Sequence, residues 1–260
     1  MNTLTVDIGN NKIKPEFWSD EGFLYGYECE NLSISELKKE IDIRGTEGII
    51  VSSVRKDTKD LIKQIREESG CEIVIEFNSE EIKKYKDKIK YKGNIGTDRI
   101  AAFVGAESLL PGVPKLIVDS GTAITLDVAD GCGNFCGGNI SLGLYSRMKT
   151  LWAATSLLPD VKDLQETPPF GDSTVTAIQS GAINGVTGEI LFSIELAKRD
   201  YKIERVVITG GDSGKFIDRI EALYKNCIVD PHLVGRGLNY HLRKYYFSEI
   251  FPDTKFIPSI

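Results

Sequence analysis

Three short stretches of this chain place an aspartate, glycine and small polar side chains directly at the end of a β-rich run. They are "DIGNN" at Asp7 to Asn11, "DSGT" at Asp119 to Thr122, and "TGGD" at Thr209 to Asp212. Glycines in such turns let backbone N–H groups approach an anion closely, and hydroxyl or amide side chains add further donors. Each turn alone also reads as an ordinary hairpin, with glycine for a positive φ and Ser, Thr or Asn for local backbone bonds. Three of them in one chain describe a clamp for phosphate groups. None matches the glycine-rich loop and lysine of P-loop enzymes, and "TGGDSG" lacks the dinucleotide fingerprint. A fourth stretch, "GTDR" at Gly96 to Arg99, opens a helical pattern. The helix dipole favours a negative charge on Asp98 at that position. The plainer reading of Asp98 is a helix cap beside a solvated arginine.

The elements that must hold these turns repeat. Asp7 and Asp119 each end a β-rich run and are followed, after one intervening residue, by a glycine, and they lie 112 positions apart. A repeat at that distance, about one domain, implies two related α/β halves, each opening with the same hairpin. The expected division is residues 1–114 and 115–260, with the last helix packing back on the first lobe. In the first half, "FLYGYEC", "GIIVSSV" and "CEIVIEF" read as strands. "SISELKKEID", opened by Ser33 with Glu36 three residues on, and "KDLIKQIREES" read as helices. A helix starting near Asp98 is stopped by Pro111 and Pro114. In the second half the hairpin is followed by "GCGNFCGGNISLG", a helix "LYSRMKTLWAATSLL", and a loop "PDVKDLQETPPFGDST" whose prolines and charges suggest a linker or lid. The glycine-containing helical run "VTAIQSGAINGVTGEILFSIELAKRD" comes next. "ERVVITGGDSGKFIDRIEALY" reads as strand, glycine turn and helix, and strand "CIVD" and a last helix "LVGRGLNYHLRKYYF" complete the pattern.

Composition narrows the function classes. The 260 residues are 41% apolar and 27% charged, enough for two modest cores. A net charge of −6 argues against a general nucleic-acid surface. The basic run from Lys83 to Gly93 reads as a solvated face. No window reaches the roughly 20 apolar residues of a membrane span. The chain opens directly on a β-rich run and its five cysteines lack a disulfide-framework spacing, so the expected location is the cytoplasm. "CGNFC" has no second Cys or His pair nearby to complete a zinc site. His232 and His241 read as structural residues.

With "DIGN", "GTDR", "DSGTAIT" at Asp119 to Thr125, "GGNISLGL" at Gly137 to Leu144, "ST" before "VTAIQSG", and "VVITGGD", the chain resembles the type III pantothenate kinases. These belong to the superfamily of acetate and sugar kinases, heat-shock chaperones and actin. The resemblance implies two ribonuclease-H-like (actin-like ATPase) lobes with ATP between them, and phosphorylation of the primary hydroxyl of pantothenate as the first step of coenzyme A synthesis. By position it assigns ATP contacts to Asp7, Ile8, Gly9, Asn10, Asn11, Lys12, Ile13, Lys14 and Thr122. Substrate contacts fall to Tyr91, Gly96, Thr97, Asp98, Arg99 and Thr174, with Asp98 as the catalytic base. It places magnesium near Asp7, a monovalent cation (potassium or ammonium) at Asp119, and a homodimer contact near the pantothenate end. Asn11 stands where the family usually carries Ser or Thr, Leu142 stands where it carries proline, and the spacing from Tyr91 to Gly96 is short. Two alternatives stand beside this reading: a regulatory relative that binds nucleotide without turnover, and another small-molecule kinase or a phosphatase of the same fold.

Overall fold

The computed structural model describes residues 1–165 and 167–247, and it divides into two compact units. One is Met1–Pro111 together with the segment from His232, and the other is Gly112–Pro231. The observed junction thus falls three residues before the expected one, and the last helix groups with the first unit.

In the first unit β1 (Asn2–Ile8), β2 (Ile13–Ser19) and β3 (Gly22–Gly26) form an antiparallel meander. After α1 (Ile34–Arg44) comes β4 (Thr46–Ser53), and after α2 (Lys59–Glu68) comes β5 (Ile73–Phe77). Both strands join in parallel, giving the order β3-β2-β1-β4-β5. A short α3 (Ser79–Ile82) and α4 (Thr97–Leu109) follow. The second unit repeats this plan. The meander is β6 (Lys115–Ser120), β7 (Ala123–Ala129) and β8 (Phe135–Leu142). Helices α5 (Leu144–Ala154) and α6 (Thr174–Tyr201) precede β9 (Arg205–Thr209), and α7 (Ile217–Glu221) precedes β10 (Cys227–Val229). The sheet order β10-β9-β6-β7-β8 is that of the first sheet read from its other edge. Asp7 and Asp119 therefore hold equivalent places, each next to last on the central strand of its sheet.

Each central strand is buried on both faces, which explains its near-continuous apolar run. In β1, Leu4, Val6 and Ile8 pack with Leu37, Ile41, Ile62 and Ile65 of α1 and α2. The other face carries Thr3 and Thr5, and Trp18 Nε1 donates to Thr5 Oγ1 at 3.1 Å. Helix α8 (Leu233–Leu242) lies against α4 on that face. Their backbones approach so closely that a Cβ on Gly237 would stand 1.8 Å from the Ala101 carbonyl, so only glycine fits there. The last helix is shorter than the sequence suggests: it gives way at Arg243–Phe247 to a wider π turn. There the buried Arg243 guanidinium donates to Asn239 Oδ1, Asp20 Oδ1 and the Met1 carbonyl. The second core gathers Leu116, Val118 and Leu126 with Val186, Ile190 and Ile194 of α6 and Val206 and Ile208 of β9.

One loop reading changes. The proline-rich segment before α6 lies within the second unit, so it is no linker between the two, and three side chains of α6 tie it down. Gln179 Nε2 donates to the Asp163 carbonyl, Ser180 Oγ to that of Pro168, and Asn184 Nδ2 to that of Pro169, at 2.7 to 2.8 Å. Helix α6 itself runs unbroken through its glycines from a capping box formed by Ser173 and Thr176. In the basic run, residues Lys83–Lys88 form a 3₁₀ helix that buries Tyr85.

Candidate active site

In the first unit the turn after β1 is closed by Gly9 N–H donating to the Lys12 carbonyl at 2.9 Å. Ile8 and Ile13 pair across the strands and are buried in the core, anchoring the turn. Asn10, Asn11 and Lys12 are exposed at its tip, while Asp7, paired with Lys14, is half-buried. Strand β4 ends beside this turn, with Val54 N–H donating to the Ile8 carbonyl. Arg55 then reaches back, its Nε donating to the Gly9 carbonyl at 2.6 Å. The same strand end holds the start of α4. Ser52 Oγ donates to Thr97 Oγ1 at 2.9 Å, and Thr97 Oγ1 lies 3.3 Å from the Ser53 carbonyl. Ser53 Oγ also accepts from the Arg55 amide and from Thr58 Oγ1, each at 3.0 Å.

The sequence reading missed Ser52, Ser53 and Arg55, which tie the turn at Gly9 to "GTDR". The signal was present in "GIIVSSVR": a buried strand ending in two hydroxyls and an arginine resembles the other strand ends, but without glycine. At the helix start, Gly96 is the N-cap, and a Cβ there would lie 2.4 Å from Asp98 Oδ1. The half-buried Asp98 accepts from the Arg99 amide at 2.8 Å, so its carboxylate is oriented by the first turn of α4. Arg99 is buried, and its guanidinium lies 5.5 Å from the ring centroid of Tyr91. That contact brings Tyr91 to the "GTDR" segment across the short connection.

In the second unit Gly121 N–H donates to the Ala123 carbonyl and closes the turn after Asp119. The Thr122 carbonyl accepts from Gly143 N–H at 3.0 Å and from Ser146 Oγ at 2.6 Å, so the start of α5 braces this turn. The third glycine turn comes in from β9, with Asp212 N–H donating to the Ser120 carbonyl at 3.1 Å. Gly210 has φ 93°, and a Cβ on it would stand 2.2 Å from that carbonyl and 2.6 Å from Asp119 Oδ1. Two of the three turns found in the sequence, with the "SLGLYS" segment, therefore converge on Asp119 and Thr122. Thr174 is exposed at the first position of α6.

Neither histidine belongs to these turns. His232 Nδ1 lies 2.7 Å from the buried Glu16 carboxylate, and its ring stacks on Phe23 with centroids 3.8 Å apart. His241 is fully buried between Tyr85 and Glu81, and burial pushes its pKa down to about 4.

A ribonuclease-H-like sheet repeated once, with an Asp-x-Gly hairpin on each central strand, makes this chain a member of the actin-like ATPase fold class. An activator of 2-hydroxyisocaproyl-CoA dehydratase from Clostridium difficile, solved with ADPNP, has a TM-score of 0.55 at 13% identity over 100% of this chain and 99% of that one. MreB5 of Spiroplasma citri, bound to ADP, has a TM-score of 0.50 at 11% identity over 96% and 98%. These likenesses concern the fold. Sequence goes further: residues 3–195 match the type III pantothenate kinase family model. The type III pantothenate kinase of Phocaeicola vulgatus is 37% identical over 91% of this chain and 96% of its own length, and that of Cytophaga hutchinsonii 33% over 92% and 99%. The chain belongs to the type III pantothenate kinase family.

Proposed function

We propose that the protein transfers the terminal phosphoryl group of ATP to the primary hydroxyl of pantothenate, giving 4'-phosphopantothenate. Beyond family membership, the observation that carries this reading is the link through Ser52 and Ser53, which fixes the Asp98 helix start against the turn at Gly9. Phosphoryl transfer passes through a loose transition state, so alignment and charge neutralisation supply most of the acceleration. Backbone donors of the turns at Gly9 and Gly121 and the Thr122 hydroxyl would hold the phosphates. Gly96, Thr97, Arg99, Tyr91 and Thr174 would bind pantothenate. Asp98 would orient its hydroxyl and accept the proton late in transfer.

The residues present suit the cations that the family resemblance implies. Among the described residues no three His, Cys, Asp or Glu side chains cluster as a metal cage. Magnesium needs none, since it keeps several waters and is shared between one or two carboxylates and substrate phosphates. Asp7 would hold it, through water. Asp119, half-buried and overhung by the Gly210 turn, would hold a monovalent cation with neighbouring backbone carbonyls. Bound there, the cations neutralise phosphate charge. We also propose a homodimer, because Ile140 and Leu142 of edge strand β8 and Leu151 and Trp152 of α5 are exposed apolar side chains that such a contact would cover. The proposed compartment is the cytoplasm, in keeping with five free cysteines. Among the described residues no helix is long and apolar enough to cross a membrane.

The test is ATP consumption across pantothenate, pantetheine, sugars and glycerol, with the phosphorylated product identified. Selective turnover of pantothenate is expected. Consumption with none of them would leave a nucleotide-binding regulatory protein, and consumption with a sugar or glycerol another kinase of this fold.

A further inference from the structure

We infer that Arg55 contacts the terminal phosphate of the bound nucleotide, an inference that rests on the kinase reading above. Its Nε is committed to the Gly9 carbonyl at 2.6 Å, so the guanidinium is held against the phosphate turn rather than free to sweep through solvent. The amide of the same residue donates to Ser53 Oγ, so backbone and side chain are both fixed. Among the described residues no carboxylate pairs with this half-buried guanidinium, in contrast to Arg44, Arg147 and Arg243, each of which has an acidic partner. A partly desolvated arginine without an anion beside it, at a turn built to receive phosphate, is matched by the phosphate oxygens themselves. Its two terminal nitrogens offer a fork suited to two such oxygens at once.

The position along the phosphate chain follows from the neighbouring bonds. Arg55 and Thr97 share Ser53: one donates to its hydroxyl, and the other lies against its carbonyl. Thr97 immediately precedes Asp98, the proposed base. Arg55 therefore stands between the phosphate turn and the residue that receives the acceptor hydroxyl, which is where the transferred group must lie. Its sequence signature is an arginine two residues after a buried strand, with no glycine to draw notice.

The experiment compares the affinity of the magnesium complexes of ADP and of the non-hydrolysable β,γ-imido analogue of ATP, in wild type, Arg55→Gln and Arg55→Lys. Losing a charge-assisted contact to the last phosphate should lower the analogue-to-ADP affinity ratio about tenfold or more in Arg55→Gln. Arg55→Lys keeps the charge but loses the fork and should fall between. Thermal unfolding of both variants checks the fold, and a variant that unfolds is read through the other. An unchanged ratio in a folded variant, with both nucleotides weakened equally, would overturn the inference and leave Arg55 a brace of the turn. The failure of the kinase reading looks different: pantothenate is not turned over by wild type, whatever the nucleotide ratios.

Discussion

Lowering the pH from 7.5 to 5 should destabilise the first unit through one residue, His241. The ring is fully buried, and its Nε2 lies 2.6 Å from Glu81 Oε2 while its Nδ1 lies 2.8 Å from the Tyr85 hydroxyl. Tyr85 is buried, which pushes its own pKa up, so it donates to Nδ1 and the neutral ring donates from Nε2 to Glu81. Burial is the largest influence on His241 and lowers its pKa from 6.5 to about 4, against the upward pull of Glu81 and with Lys84 and Lys244 adding to the fall. The folded state therefore resists protonation where the unfolded chain accepts it. Stability is fully present above the unfolded pKa and is lost as pH falls below it. Linkage with these two values gives a loss of about 2 kcal/mol between pH 7.5 and 5. Glu81 is depressed as well: burial raises it, but bonds from Lys84, Tyr246 and His241 outweigh that, so its contribution is lost only at lower pH. Urea unfolding in a Trp152→Phe background, where Trp18 alone reports on the first unit, measures the loss. The variant His241→Gln, which cannot titrate, should lose markedly less over the same interval. Equal losses in the two proteins would show that His241 is not held neutral by its surroundings.

Three predictions concern turnover. Asp98→Asn should keep the fold and ATP binding but lower kcat by roughly 10²-fold or more, the usual contribution of a positioned base; near-normal kcat would assign Asp98 to capping α4. Asn11→Thr should lower the KM for ATP by restoring a hydroxyl at the exposed tip of the first turn, and an unchanged or higher KM would mean the turn is adapted to the amide. At constant ionic strength and fixed magnesium, turnover should rise when potassium or ammonium replaces sodium, because a carboxylate at Asp119 beside phosphate oxygens is repulsive without a cation between them. Asp119→Asn should flatten that response, and equal wild-type rates in all these salts would leave Asp119 a structural residue of its turn.

What the sequence determined by itself was set by local chemistry. An aspartate and glycine after a β-rich run already define a strand end with a tight turn, and their recurrence at Asp7 and Asp119 made the duplication legible before any fold was known. The start of α4 was legible in the same way, since an acidic residue opening an apolar helix is a local signal. Which strand ends face a common site depends on sheet order. The parallel pairing of β4 with β1 brings Ser52, Ser53 and Arg55 beside Gly9, some 45 residues away in the chain, and no local pattern encodes that pairing. The placement of α8 was likewise decided in three dimensions. Gly105 and Gly237 carry no local signal of this role, yet they are the positions where two backbones approach too closely for any side chain. His241 shows the same division: its type is in the sequence, but its neutral state comes from burial between α3, the 3₁₀ helix at Tyr85 and the C-terminal turn.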